Sequence, residues 1–248
     1  MRVLRTLLLM IALASGCFPL AARAQALVAD LSSHLVAITT GFAGTDVLLF
    51  GAVEGPGDVV VVVRGPDERE IVRLKGRVAG IYVNRKEMAF SRVPSFYQVA
   101  ASGELDKIAS AAERARLEIG TENLRLVPEV ERDPATVADY RAALIRNKEA
   151  QGLWGRNVAK VASLGARLFR VNVYFPSNVP VGIYQVQVFL FHDGEVRAAQ
   201  TTPLSISKVG ASAEIFDFAH REAAAYGAIA IAIALAAGWA ASAIFRRV

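Results

Sequence analysis

Apolar and polar positions alternate with a period of two over much of the chain. In LFRVNVYF, Phe169, Val171, Val173 and Phe175 alternate with Arg170, Asn172 and Tyr174, the pattern of a strand with one face buried. IYQVQVFLF places Tyr184, Val186, Val188 and Leu190 on one face, with Gln185 and Gln187 opposite. His192-Asp193-Gly194 follows, and Asp-Gly is a strong hairpin signal, so a closing strand is expected from Glu195 to Ile206. In the first half, GPGDVVVVVRGP sets five valines between Gly/Pro punctuation. Branching at Cβ favours a strand, and an unbroken apolar run implies cover on both faces. Further strands are expected at Leu35 to Thr39, Asp46 to Val53, Gly76 to Val83, Glu87 to Phe90 and Tyr97 to Ala100.

The period changes in the middle. Leu105, Ile108, Ala112, Ala115 and Ile119 fall close to helical spacing, predicting a helix over 104–119 with Ser102 as its cap. Asp133-Pro134 is an acceptor followed by Pro at a first helical position. It predicts a second helix to about Gly152, with Val137, Tyr140, Leu144 and the stem of Lys148 on one face. Strands, then helices, then strands describe a mainly β chain: an immunoglobulin-like β-sandwich, or two small sheets, with a helical insertion over about 103–152.

The two ends differ from this body. Ala223 to Phe245 is a run of 23 residues without a charge, twelve of them Ala. As a helix it would be about 34 Å long, enough for a hydrocarbon core of about 30 Å. At the other end, Arg2 and Arg5 precede an apolar stretch, and Ala22-Arg23-Ala24 has the small-x-small form of a cleavage site. That predicts a signal peptide over 1–24. A second reading takes Ala14-Ser15-Gly16-Cys17 as a lipidation box on Cys17, with Ala14 where Leu is usual. The expected plan is therefore signal peptide, exported body over 25–210, juxtamembrane segment 211–222, transmembrane helix 223–245 and cytoplasmic tail 246–248. Arg246 and Arg247 on the inner side fit the positive-inside tendency. The setting expected is a bacterial inner membrane, with the bulk of the chain periplasmic.

Charge changes meaning once the ends are set aside. The whole chain is formally +5, with a pI near 9.6. Removing Arg2, Arg5, Arg23, Arg246 and Arg247 from 28 basic residues leaves 23, against 23 acidic ones. A balanced body offers no basic stripe for nucleic acid. The cluster Arg64, Arg69, Arg73, Lys75 and Arg77 is interleaved with Asp67, Glu68 and Glu70 and reads as a solvated face or a small-anion site. The one cysteine falls in the presequence, so the body has no disulfide.

Motifs for chemistry are sparse. His34, His192 and His220 share no ligand spacing, and no cofactor or metal site is expected. Ser95 in VPSFY reads as a turn residue before a strand rather than a nucleophile. Asp106, Glu113 and Glu118 have no acid–base partner legible in the sequence. Aromatic residues offer more: Tyr82, Phe96, Tyr97 and Trp154 are candidates for an interaction surface. In the final helix, Ala224, Ala228, Ala232, Ala236 and Ala240 form one i, i+4 row, a candidate for close packing against a permease helix or a second copy.

Phe42-x-Gly44, Phe50-Gly51-Ala52, the valine strand ending Arg64-Gly65-Pro66, Gly80-Ile81-Tyr82-Val83-Asn84, Val93-Pro94-Ser95-Phe96-Tyr97, and Val179-Pro180-Val181-Gly182-Ile183-Tyr184 followed by Asp193-Gly194 together resemble the putative transmembrane protein family of alphaproteobacteria. The resemblance covers nearly the whole chain. It implies a single-span inner-membrane protein with a periplasmic body, and it carries over no catalytic residues. Two functions stay open at this point. One is a non-enzymatic interaction or accessory module. The other is a periplasmic enzyme or small-solute sensor with a pocket at the sheet–helix junction, near Arg73, Tyr97 or Trp154.

Overall fold

The structure is a computed structural model that describes residues 26–78, 81–165, 167–210 and 218–245; the side chains of 75–78, 81–85 and 243–245 are outside that description. The expected signal peptide, Cys17, Arg246 and Arg247 lie outside the described residues. Thirteen strands are described in three sheets. They are β1 (Leu27–Leu31), β2 (Leu35–Ile38), β3 (Gly44–Val53), β4 (Asp58–Arg64), β5 (Asp67–Val78), β6 (Ile81–Pro94), β7 (Tyr97–Ala101), β8 (Val127–Pro128), β9 (Ala159–Lys160), β10 (Ala162–Leu164), β11 (Leu168–Pro176), β12 (Gly182–His192) and β13 (Glu195–Lys208). A four-stranded sheet runs β1-β3-β11-β10, and a six-stranded one runs β2-β13-β12-β4-β7-β9. The third, β5-β6-β8, is a long hairpin with a short added strand.

Alternation in the sequence becomes the core. Phe169, Val171, Val173 and Phe175 of β11 are buried, as are Tyr184, Val186, Val188 and Leu190 of β12. The aromatic members bring the two larger sheets together: Phe175 lies 5.8 Å from Tyr184 and 5.1 Å from Phe96, centroid to centroid. All five valines of β4 are buried, as an unbroken run requires. Gly51 lets β1 and β3 close over this core, because a Cβ there would collide with the Val28 carbonyl and the Phe169 ring. The β12–β13 turn has Asp193 at φ 52° and Gly194 at φ 83°, the left-handed pair of a tight hairpin.

β4 and β7 pair antiparallel from Val60↔Ala101 to Arg64↔Tyr97. The ladder does not stop there. The Gly65 amide donates to Phe96, and the Ser95 amide donates to Pro66. Asp67↔Pro94 then opens the β5–β6 pairing, which reaches Val78↔Ile81. One ribbon thus begins inside the six-stranded sheet and continues beyond it. Near its middle, Glu68↔Val93 is followed by Glu70↔Phe90, so Arg69 faces two residues. The extra one, Arg92, takes φ 58°, as a bulge allows.

Two expectations need correcting here. Gly76 to Val83 is not one strand: it spans the end of β5 and the start of β6, and residues 79–80 between them are outside the description. The helix expected over 104–119 is two short ones, α1 (Leu105–Ile108) and α2 (Ala111–Arg116). Ala109 between them is extended, and Ser110 caps α2 by accepting from the Glu113 amide. Ser102 caps neither helix. Its hydroxyl donates to Asp58 and accepts from the Val59 amide, tying the strand end instead. The second helix, α3 (Pro134–Ala150), starts as expected, with Asp133 accepting from the Thr136 amide at 2.9 Å. Lys148 near its end is 3% exposed and donates to Glu68 and Glu70, each at 2.5 Å. This contact fastens α3 to the base of the hairpin. After β13 the chain ends in α4 (Ala223–Phe245).

Candidate interaction face

Phe96, Tyr97 and Trp154 are 1–2% exposed. They are brought together, but in the core and not on a surface. The Trp154 indole N–H donates to the Pro94 carbonyl at 2.9 Å, and its ring meets Tyr97 edge-on. The Tyr97 hydroxyl donates to the Glu118 carbonyl and accepts from the Gly120 amide. Burial pushes the Tyr97 phenol well above its ordinary pKa, and burial does the same to Tyr184. Phe96 packs between Phe175 and Tyr184. The reason is positional: Ser95-Phe96-Tyr97 sits where the ribbon leaves the sheet, so its side chains fill the corner. Tyr82 lies on β6 opposite Arg77, and its side chain is outside the described residues.

An exposed apolar surface lies on the outer face of the four-stranded sheet. The registers Val28↔Ala52, Ala52↔Leu168 and Leu168↔Leu164 put four side chains in one row across β1, β3, β11 and β10. Neighbouring strands are about 4.8 Å apart, so the row spans about 14 Å. Phe50 stands in the next row, opposite Arg170 and Asp30, and Tyr174 lies further along β11 opposite Asp46. Val28, Phe50, Leu164, Leu168 and Tyr174 are 45–53% exposed. A contiguous apolar row with charged residues at its margin is how a docking patch is built. Sequence reading had a signal for this face. The residues opposite the buried set of β11 begin with Leu168 and end with Tyr174, but only the register shows that Val28, Ala52 and Leu164 join them.

Several ionic groups elsewhere are paired internally. Arg64 bonds Glu118 and Asp67 at 2.6 and 2.9 Å, Arg69 grips Glu129 with two bonds, and Arg73 bonds Glu87. Asp106 pairs with Arg114 and Glu113 with Arg116. A polar cleft of about 540 Å³ beside Arg64, Arg92, Glu118 and Gln185 is therefore walled by charges that already have partners. Ser95 is 1% exposed, shut away from any substrate. Among the described residues, no three or more of His, Cys, Asp and Glu gather where a metal ion would sit. His34 and His192 lie beside Asp30 and Asp193.

The C-terminal helix supplies a different surface. Within α4, Ala223–Ser242 is long and apolar enough to cross a membrane, and none of it is buried. Ile231, Ile233, Leu235 and Trp239 project outward, and Ala224, Ala228, Ala232, Ala236 and Ala240 are exposed along one side. Among known proteins, a family model described as "Putative transmembrane protein (Alph_Pro_TM)" matches residues 26–247. No curated protein and no solved structure matches the chain.

Proposed function

The chain belongs to that putative transmembrane protein family, and from this premise we propose that it is a membrane-anchored interaction module without enzymatic activity. In this reading α4 crosses a bacterial inner membrane once, with Arg246 and Arg247 in the cytoplasm. Residues 1–24 are removed as a signal peptide, and the body stands in the periplasm as an immunoglobulin-like sandwich. It docks another envelope protein, such as a permease for which it serves as accessory. The observation that carries the reading is the Val28–Ala52–Leu168–Leu164 row with Phe50 beside it. Such a face is wasteful in a lone soluble body and useful in a docked one. The alanine row of α4 supports a helix contact within the membrane to the same partner or to a second copy.

Crosslinking and capture from intact membranes at native expression tests this. The wild-type chain should capture a partner, and a Phe50→Asp, Leu168→Asp double variant should lose it while keeping its membrane level and melting temperature. Capture unchanged by the double substitution would remove the face from the account. No capture at all, together with a small solute that raises the melting temperature, would replace the reading with a solute-binding one.

A further inference from the structure

The hairpin and α3 enclose a second cleft, of about 440 Å³. That is within the range of about 300–1,000 Å³ usual for small-molecule sites. Its apolar wall comes from Val72, Leu74, Tyr140 and Ala143. Val72 is buried, whereas Leu74 two residues on is 55% exposed. Alternation along β5 puts Glu68, Glu70, Val72 and Leu74 toward α3, since both glutamates reach Lys148. Arg73 also lines the cleft, with its guanidinium bonded to Glu87.

Two further cations border this wall. Lys86 is the register partner of Leu74, and Arg146 lies on the facing helix. Arg64, Arg69 and Arg73 are each held by a carboxylate. Lys86 and Arg146 have no ion-pair partner among the described residues, and Asp139 is the carboxylate lining the cleft. The Tyr140 ring completes the apolar wall and packs against the core behind it.

We propose that this cleft binds an amphipathic anion, an acyl chain ended by a carboxylate. The chain lies against Val72, Leu74 and Ala143. The carboxylate faces Lys86 and Arg146. Apolar burial supplies most of the affinity, and the charge-assisted bonds select an acid over an alcohol. The site does not depend on the sheet face, so either can fail alone.

The test is titration calorimetry of octanoate into the full chain held in discs of neutral lipid, with empty discs subtracted. Octanoate should saturate one site per chain, and octan-1-ol should bind about tenfold more weakly because it lacks the charge-assisted bonds. Arg146→Glu should weaken octanoate about tenfold, again by the loss of one such bond. Leu74→Asp should abolish binding. Both positions are exposed, so the fold is spared. Discs of anionic lipid distinguish the source: octanoate displaced there means that bilayer lipid supplies the group, and octanoate retained means a soluble acid does. Heat that matches empty discs, or equal binding by the Leu74→Asp and Arg146→Glu variants, overturns the proposal.

Discussion

Tyr97 shows how much one side chain can hold. Its ring is in the core against Trp154, and its hydroxyl satisfies two backbone groups of the 118–120 loop. Replacing it with Phe keeps the ring and orphans a buried carbonyl and an amide, a loss of about 1–3 kcal/mol. Urea denaturation of the Tyr97→Phe chain should show it. The same burial sets a pH response. Because burial raises the folded-state pKa of Tyr97 and Tyr184, the unfolded chain releases their protons first. Stability is therefore intact below the ordinary phenol pKa of about 10 and falls as pH rises beyond it. The fall should be shallower in Tyr97→Phe; an equal fall in both chains would mean that other groups govern it.

At the scale of elements, α3 and the hairpin form one unit through Lys148. Removing a buried ammonium leaves Glu68 and Glu70 side by side without their shared partner. Lys148→Ala should cost about 3 kcal/mol, and Lys148→Met less, because the stem is kept and only the charge is lost. Denaturation midpoints in the order wild type, Met, Ala would support this; equal midpoints would show α3 to be held by its apolar contacts alone. This contact also marks what the sequence could and could not reveal. Helical spacing put the Lys148 stem on the buried face, but its carboxylate partners lie 78 and 80 residues away. Short-range patterns gave β11, β12, the valine strand and the α3 start, since each depends on neighbours two to four positions off. They missed the α1–α2 break, where Ser110 competes as a cap, and β1, β8 and β9, whose partners are remote, as well as most of β5 and the short β10, which pairs with the neighbouring β11. They placed Phe96, Tyr97 and Trp154 on a surface because composition does not say which aromatic residues a corner will enclose.

At the scale of the molecule, a balanced body is joined to a helix whose surface is almost wholly apolar. In water α4 would leave Ile231, Ile233, Leu235 and Trp239 more than 60% exposed, so lipid is its natural solvent. Alkaline carbonate should leave the chain in the membrane pellet, and Ile231→Arg with Leu235→Arg should move it to the supernatant. A wild-type chain washed off by carbonate would mean that α4 rests against protein instead.

The parallel pair of β2 with β13 joins residues 35–38 to 205–208. A chain still being synthesised has no partner for β2 until its final strand has emerged, just ahead of α4. The edge of the larger sheet therefore stays unzipped through nearly all of translation, and the last contact to close is the one nearest in sequence to the C-terminal apolar helix.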